Sequence, residues 1–172
     1  MMPFLAVLLT LIRGWPTIPF AVLQDELTST EISRVIERAE FDFYNTLMYK
    51  DQTTWVGRTI SFRGSFIVRT DVTNAAKPYE QIRGSSNSGE PVEVIAFLDN
   101  PLKISEGIGD RGPTIVRGQP LRIFGIVQKC REVVTRDGYV RILPTIELLL
   151  IYGPEDQSFS YPIWMSQSLK RH

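Results

Sequence analysis

The chain has little of the chemistry that most enzymes and metal proteins use. Its 172 residues include one cysteine, Cys130, and one histidine, His172. A single cysteine excludes an internal disulfide and any site that needs several cysteine ligands. A single histidine removes most histidine-based catalysis and most histidine-ligated metals. No Walker loop, H-E-x-x-H motif or G-x-S-x-G motif occurs in the sequence. We therefore expect a non-enzymatic protein, and the sequence indicates no cofactor and no metal site.

The chain also lacks an excess of charge of either sign. Nineteen lysines and arginines balance nineteen acidic residues, which argues against a strongly basic nucleic-acid binder and against an acidic tail protein. Hydrophobic residues make up 43% of the chain and charged residues 22%, a composition that can bury a core. The length fits one ordinary domain, or one domain with a terminal segment.

Residues 1–24 form a signal-like or membrane-proximal segment. Pro3–Ile12 carries no charge and, as a helix, would span about 15 Å, roughly half a bilayer core. Arg13 and Pro16 interrupt the apolar stretch that continues beyond it. The length favours an export signal or an uncleaved anchor, with membrane association through residues 3–23. A start-site extension without structure and a core element are the alternatives. The expected location is exported or membrane-associated, and the alternative is cytoplasmic.

A helix is predicted over residues 25–50. Thr28 and Glu31 have the T-x-x-E spacing of a capping box, which would place the start of the helix at Thr28. Apolar residues follow in steps of three and four, which is typical of an amphipathic helix packed on a domain: Ile32, Val35, Ile36, Ala39, Phe43 and Leu47. A partner-binding or interfacial helix is the alternative. The segment Asp25–Met48 has net charge −4, which disfavours anionic lipid.

From residue 55 onward the period changes to that of strands. In Thr59–Arg69 apolar and polar side chains alternate, and Gly64 on the inward face predicts a bulge or a sharp bend. A strand near Lys77–Arg83 is poorly marked. Further strands are predicted at Pro91–Asp99, Leu121–Val134 and Tyr139–Tyr152, the last apolar enough to be covered on both sides.

Two glycine pairs indicate that the sheet curves. Gly57 and Gly64 have the same spacing as Gly118 and Gly125, and in each pair one glycine precedes a strand and the other lies inside it. Two bent strands in one sheet favour a small closed barrel over a flat sandwich.

These segments resemble a known family. The stretches VGRTISFRGSFIV, IVRGQPLRIFGIVQ and PTIELLLIY are similar to the strands of the oligonucleotide/oligosaccharide-binding (OB) barrel. The resemblance is to the OB-fold domains of uncharacterised bacterial exported or membrane-associated proteins, and it covers residues 55–153. It implies a mainly β fold with one N-terminal helix and a small five-stranded OB-like β-barrel that presents a ligand face. Residues 154–172 form a C-terminal tail, either extended against the barrel or mobile.

Six basic residues against two acids give Arg117–Arg141 a net charge of +4. This basic β-hairpin is the candidate contact for an anion or a nucleic acid, through Arg117, Arg122, Lys129, Arg131, Arg136 and Arg141. The competing interpretation is intramolecular, with the acidic helix facing the basic hairpin across the barrel.

Three further features carry weaker candidates. Cys130 lies between two cations that would favour its thiolate, although a small strand residue without a redox role is the simpler interpretation. Carboxylates at Asp99, Glu106 and Asp110 match no calcium loop. The serine-rich segment Gly84–Gly89 has no histidine nearby in the sequence to act as a base for a serine nucleophile, and we interpret it as a flexible hairpin loop.

The sequence thus predicts a non-enzymatic binding or scaffolding module, exported or membrane-associated, for which a protein partner is favoured over nucleic acid. A cytosolic OB protein that binds single-stranded nucleic acid through the basic hairpin is the alternative.

Overall fold

The fold is described from a computed structural model, which covers residues 20–43, 50–68, 79–99, 102, 104–105, 115–134, 139–154 and 158–170. The signal-like segment therefore lies outside the described residues as far as position 19. No helix in the described ranges combines the length and the apolar character needed to span a bilayer.

The described chain is built from two α-helices, eight strands and a 3-10 helix. The helices are α1 (Phe20–Arg38) and α2 (Gln52–Trp55), and the 3-10 helix is Gln167–Lys170. The strands are β1 (Thr59–Val68), β2 (Tyr79–Ser85), β3 (Pro91–Phe97), β4 (Ile104–Ser105), β5 (Ile115–Val116), β6 (Leu121–Val134), β7 (Val140–Tyr152) and β8 (Trp164–Met165).

Five of these strands close into a ring. The main sheet has the order β3-β2-β1-β6-β7-β8, and β3 also pairs with β7. That closing contact is parallel, from Ile95 opposite Thr145 to Phe97 opposite Glu147, while the other pairs in the ring are antiparallel. The predicted fold class is confirmed: the protein is mainly β, with an N-terminal helix and a small five-stranded, OB-like, barrel-like ring.

The two glycine pairs mark equivalent places in β1 and β6. Gly57 and Gly118 have φ of +89° and +82°, the left-handed region that side chains disfavour. Each donates its backbone N–H to the neighbouring strand, Gly57 to the carbonyl of Val127 and Gly118 to that of Phe66, both at 2.9 Å. The repeated glycine spacing therefore reflects a local two-fold relation between the two antiparallel strands.

The predicted bulge at Gly64 is wrong in position. Gly64 pairs regularly with Gly84, and the ladder between β1 and β2 shifts two residues later, between Phe66 and Val68. Gly84 is required because the two strands approach closely there, so that a Cβ on it would lie 1.9 Å from the carbonyl oxygen of Arg63. The poorly marked strand near Lys77–Arg83 is β2.

The barrel interior is filled by large apolar side chains from all five strands. All of the following are 0% exposed: Phe62, Phe66, Ile82, Val94, Ile123, Ile146 and Ile151. On the strands these residues alternate with outward-facing ones, as the sequence pattern predicted.

Helix α1 differs from its prediction at both ends. It begins at Phe20 and ends at Arg38, so Thr28 and Glu31 lie inside it and do not form its capping box. Its apolar stripe does dock on the barrel, where Ile32, Val35 and Ile36 pack against the outer face of β6 and β7. The prediction placed the helix over residues 25–50, because the apolar steps continue past the point where the backbone leaves the helix.

The chain after α1 enters the barrel. Glu40 forms a parallel bridge with Ile60, and Phe43 is 1% exposed within the interior cluster. The Phe43 ring lies 6.1 Å from Trp55 and 6.3 Å from Phe62, measured between centroids. Phe43 thus seals the barrel interior and is not part of the helix stripe.

Strand β7 is covered on both sides, as predicted. Ile146, Leu148 and Ile151 face the barrel interior, while Leu149 and Leu150 contact the helix side. Gly125 and Phe124 of β6 pair with Leu148 and Leu150, so Leu149 is an extra residue that shifts the alternation. The C-terminal tail adds β8 to the outer edge of β7 and ends in the 3-10 helix.

Candidate functional site

The six predicted basic residues do not form one continuous patch. Arg117 pairs with Glu80 at 3.4 Å, and Arg141 contacts both oxygens of Glu93 at 3.0 and 3.2 Å. The Arg131 guanidinium lies 4.8 Å from the centroid of the Phe97 ring. Lys129 is exposed at a β-bulge, and Arg136 lies outside the described residues.

Arg122 stands apart from these residues. It lies near the start of β6, whereas Arg131 is nine positions further along the same strand, a distance of about 30 Å in extended chain. Arg122 therefore belongs to a different part of the surface, where the sequence analysis had placed no second cation.

A second arginine lies directly opposite Arg122. Arg63 on β1 is its register partner in the antiparallel ladder. Residues opposite one another in such a ladder project from the same face of the sheet, with Cα atoms about 4.5–5.5 Å apart. Because their neighbours Phe62 and Ile123 face the interior, both arginines face outward.

The Arg122 side chain is held in place by two neighbours. Its Nη1 donates to Oδ1 of Asn87 at 3.0 Å, and its guanidinium lies 5.8 Å from the centroid of the Phe41 ring. Asn87 is fixed in turn, since its backbone N–H donates to the carbonyl of Phe41 at 3.0 Å. Burial, and to a lesser degree the charge of Arg63, lower the pKa of Arg122 from its ordinary value.

Within the part of the chain that the structure describes, no carboxylate pairs with either arginine. Among the described residues, the carboxylates that form ion pairs bind Arg34, Arg58, Arg83, Arg117 and Arg141. Neither Arg63 nor Arg122 lies within 4.0 Å of a carboxylate in those ranges. Two like charges opposite each other in a sheet are destabilising, so this pair costs free energy in the absence of an anion.

The two arginines line a cavity of about 440 Å³. The other described lining residues are apolar or glycine and come from the start of β6 and from the chain that follows β7: Pro120, Leu121, Gly153, Pro154 and Phe159. We call this cavity the arginine pocket. Its volume lies within the usual range of small-molecule sites, about 300–1,000 Å³.

Phe159 forms the aromatic wall of the arginine pocket. Its ring centroid lies 5.4 Å from that of Phe124 and 5.4 Å from that of Tyr152, both with steep interplanar angles. Its φ is +53°, which an ordinary side chain adopts only at a cost of about 1–3 kcal/mol. The aromatic contacts hold the residue in this conformation, with its ring at the pocket.

Sequence reasoning found Arg122 but missed Arg63, Asn87 and Phe159. Arg63 falls on the polar face of the alternating pattern in Thr59–Arg69, yet its position opposite Arg122 depends on the register between β1 and β6. The repeated glycine spacing carries that register: the bonds of Gly57 to Val127 and of Gly118 to Phe66 fix the alignment of the two strands. Nothing in the sequence around Asn87 or Phe159 places either residue at the pocket.

Among the described ion pairs, none joins the acidic helix to the basic hairpin. Glu31 on α1 pairs within the helix with Arg34, and Glu40 pairs with Arg58 at 2.8 Å. Two basic residues of the hairpin pair instead with glutamates of neighbouring strands, Arg117 with Glu80 on β2 and Arg141 with Glu93 on β3. The acidic helix thus docks through its apolar stripe.

Asp99 has a structural role. Its Oδ2 accepts from Ser166 Oγ at 2.7 Å and from the backbone N–H of Ser168 at 3.0 Å, at the start of the 3-10 helix. Burial opposes ionisation, but the hydrogen bonds from Ser166, Gln167 and Ser168 outweigh it and lower the pKa of Asp99. Glu106 and Asp110 lie outside the described residues.

Cys130 does not favour a thiolate. Desolvation by burial raises its pKa above the ordinary value, so the adjacent cations do not activate it. Its backbone N–H donates to Oε1 of Gln52 at 3.3 Å, which ties β6 to α2.

The serine-rich segment Gly84–Gly89 contains the last two residues of β2 and the turn that leads to β3. Ser86 donates its backbone N–H to the carbonyl of Glu90 at 2.9 Å, and its Oγ lies 2.8 Å from that of Ser88. Over the ranges that the structure describes, no three histidine, cysteine or acidic side chains are grouped to hold a metal ion.

Comparisons of the chain with protein-family models, with curated proteins and with solved structures gave no significant match.

Proposed function

We propose that the protein is a non-enzymatic binding module that holds a small anionic ligand in the arginine pocket. One observation carries the proposal: Arg63 and Arg122 lie directly opposite each other with no carboxylate partner in the described chain. An anion between them would replace their repulsion with two attractive, charge-assisted contacts.

The surroundings of Arg63 and Arg122 favour the binding of an anion, because water screens the two charges only in part. Arg122 is half-buried, and the prolines and Phe159 exclude part of the water that would screen it. Electrostatic attraction is stronger in such a site than on an open surface. Arginine also suits the role because its planar fork binds carboxylate or phosphate through two hydrogen bonds.

The composition of the pocket supports binding without catalysis. Among the described residues, the lining includes no carboxylate, imidazole, thiol or hydroxyl that could transfer a proton or act as a nucleophile. A phosphate track along the whole basic hairpin is less favoured, because Arg117 and Arg141 are already paired with glutamates. The exported or membrane-associated location stays a prediction from residues 3–23.

The test is a titration of the full chain with sulfate, followed by the Nε–Hε signals of arginine in ¹⁵N-labelled protein at low ionic strength. We expect saturable shifts of the Arg63 and Arg122 signals, assigned from the variants Arg63→Gln and Arg122→Gln. Arg83→Gln is the matched control, since Arg83 is an exposed arginine of the neighbouring strand that is paired with Glu93 at 3.3 Å. Equal, non-saturable shifts of all three arginines would contradict the proposal.

A further inference from the structure

We propose that the ligand of the arginine pocket is a phosphate monoester of an organic molecule, bound as its dianion. This inference rests on the proposed anion-binding function and names its ligand class. It follows from three properties of the pocket: its charge, the spacing of its two arginines and its apolar wall.

The charge of the pocket matches a dianion. Arg63 and Arg122 supply two positive charges, and no acid among the described residues reduces that number. A phosphate monoester carries about −1.5 to −2 at pH 7 because its second pKa is about 6. A phosphodiester or a single carboxylate carries one negative charge. It would leave one of the two guanidinium groups without a compensating charge, in a site where Arg122 is half-buried.

The spacing of the arginines matches a terminal phosphate. Their Cα atoms are register partners, so both side chains project from the same face of the sheet. A terminal phosphate offers three oxygens, enough for both guanidinium groups to bind it together. Asn87 and Phe41 fix the Arg122 group before the ligand arrives, which reduces the entropy lost on binding.

The apolar wall indicates an organic body. The cavity of about 440 Å³ is far larger than one tetrahedral anion, and Phe159, Pro120 and Pro154 line it. These side chains offer no hydrogen-bond donor to a second phosphate group. A ring or another apolar part of the ligand can pack on the Phe159 side, while the phosphate lies on the arginines.

The experiment compares two esters by calorimetry on the full chain at low ionic strength. Phenyl phosphate is a monoester, and methyl phenyl phosphate is a diester with the same ring. At about pH 7.5 we expect the monoester to bind at least about tenfold more tightly, and the difference to shrink as the pH falls below about 6. Arg63→Gln should weaken the monoester roughly 10- to 100-fold, whereas Arg83→Gln should leave it unchanged.

A second variant tests the organic body. Phe159→Leu keeps an apolar side chain but removes the ring, so it should weaken phenyl phosphate while leaving inorganic phosphate unaffected. Equal affinity for the two esters, or no change between about pH 7.5 and 5, would overturn the monoester inference. If sulfate still binds at Arg63 and Arg122 in that case, the proposed function stands. If sulfate also fails to bind, both are wrong.

Discussion

Removing Arg63 should make the ligand-free protein more stable. Arg63 is exposed and lies opposite Arg122, so Arg63→Gln removes a repulsion and leaves no buried group without a partner. Like charges opposite each other in a sheet cost about 0.2–1 kcal/mol. Coulomb's law gives a similar figure, about 0.7 kcal/mol for unit charges 6 Å apart in a medium like water. We expect the free energy of unfolding to rise by about 0.5 kcal/mol.

The matched control, Arg83→Gln, should change the free energy of unfolding in the opposite direction. Arg83 is also an outward arginine on the barrel, but it pairs with Glu93 at 3.3 Å. Arg83→Gln should therefore lower the free energy of unfolding, by about 0–1 kcal/mol as for other exposed ion pairs. The two substitutions change the same residue type to the same amide, so effects of glutamine on strand formation are common to both.

The assay is urea denaturation of both variants and the wild type at low salt and at about 1 M salt, where the screening length falls to about 3 Å. The gain of Arg63→Gln should be present at low salt and disappear at high salt. A loss of stability in Arg63→Gln at low salt, or a gain that salt does not change, would refute the account of the pair as an unbalanced repulsion.

Three further predictions concern the framework. Asp99→Asn should lower stability by about 1 kcal/mol or less at neutral pH, since the carboxylate is largely exposed and solvent screens it. Because the hydrogen bonds lower the pKa of Asp99 in the folded state, its contribution is present above the ordinary value of 3.8 and is lost as the pH falls below it. Urea titrations from about pH 7 to 3 should show the difference from wild type shrinking in acid, and a constant difference would contradict the assignment. Gly84→Ala should cost about 3 kcal/mol or prevent folding, because its Cβ would meet the Arg63 carbonyl at 1.9 Å. Gly153→Ala, with nothing within 4 Å of the new Cβ, should stay within about 0.5 kcal/mol of wild type by thermal denaturation.

The sequence predicted the barrel well because barrel formation leaves a strong local pattern. Alternating side chains in β1, the long apolar β7 and the repeated glycines each follow from backbone geometry that neighbouring residues determine. The end of α1 was misplaced for a related reason. Phe43 is apolar and falls at helical spacing from Ala39, so its burial in the interior cluster could not be distinguished from burial under a helix.

The arginine pocket was harder to predict because it depends on contacts between distant parts of the chain. Arg63 and Arg122 are fifty-nine positions apart in the sequence and meet only through the register of two strands. Phe159 reaches them from the tail through contacts with Phe124 and Tyr152. Charge counting over a continuous segment grouped Arg122 with Arg117 and Arg141, which tertiary ion pairs have already neutralised.

The position of Phe43 has a consequence for any attempt to shorten the protein. A fragment that begins at residue 55 would keep every strand of the ring but lose the side chain that fills the space beside Trp55 and Phe62. Losing a buried phenylalanine costs about 3–5 kcal/mol, a large part of the stability of a small domain. We therefore expect the segment that carries Phe43 to melt together with the strands in a single transition.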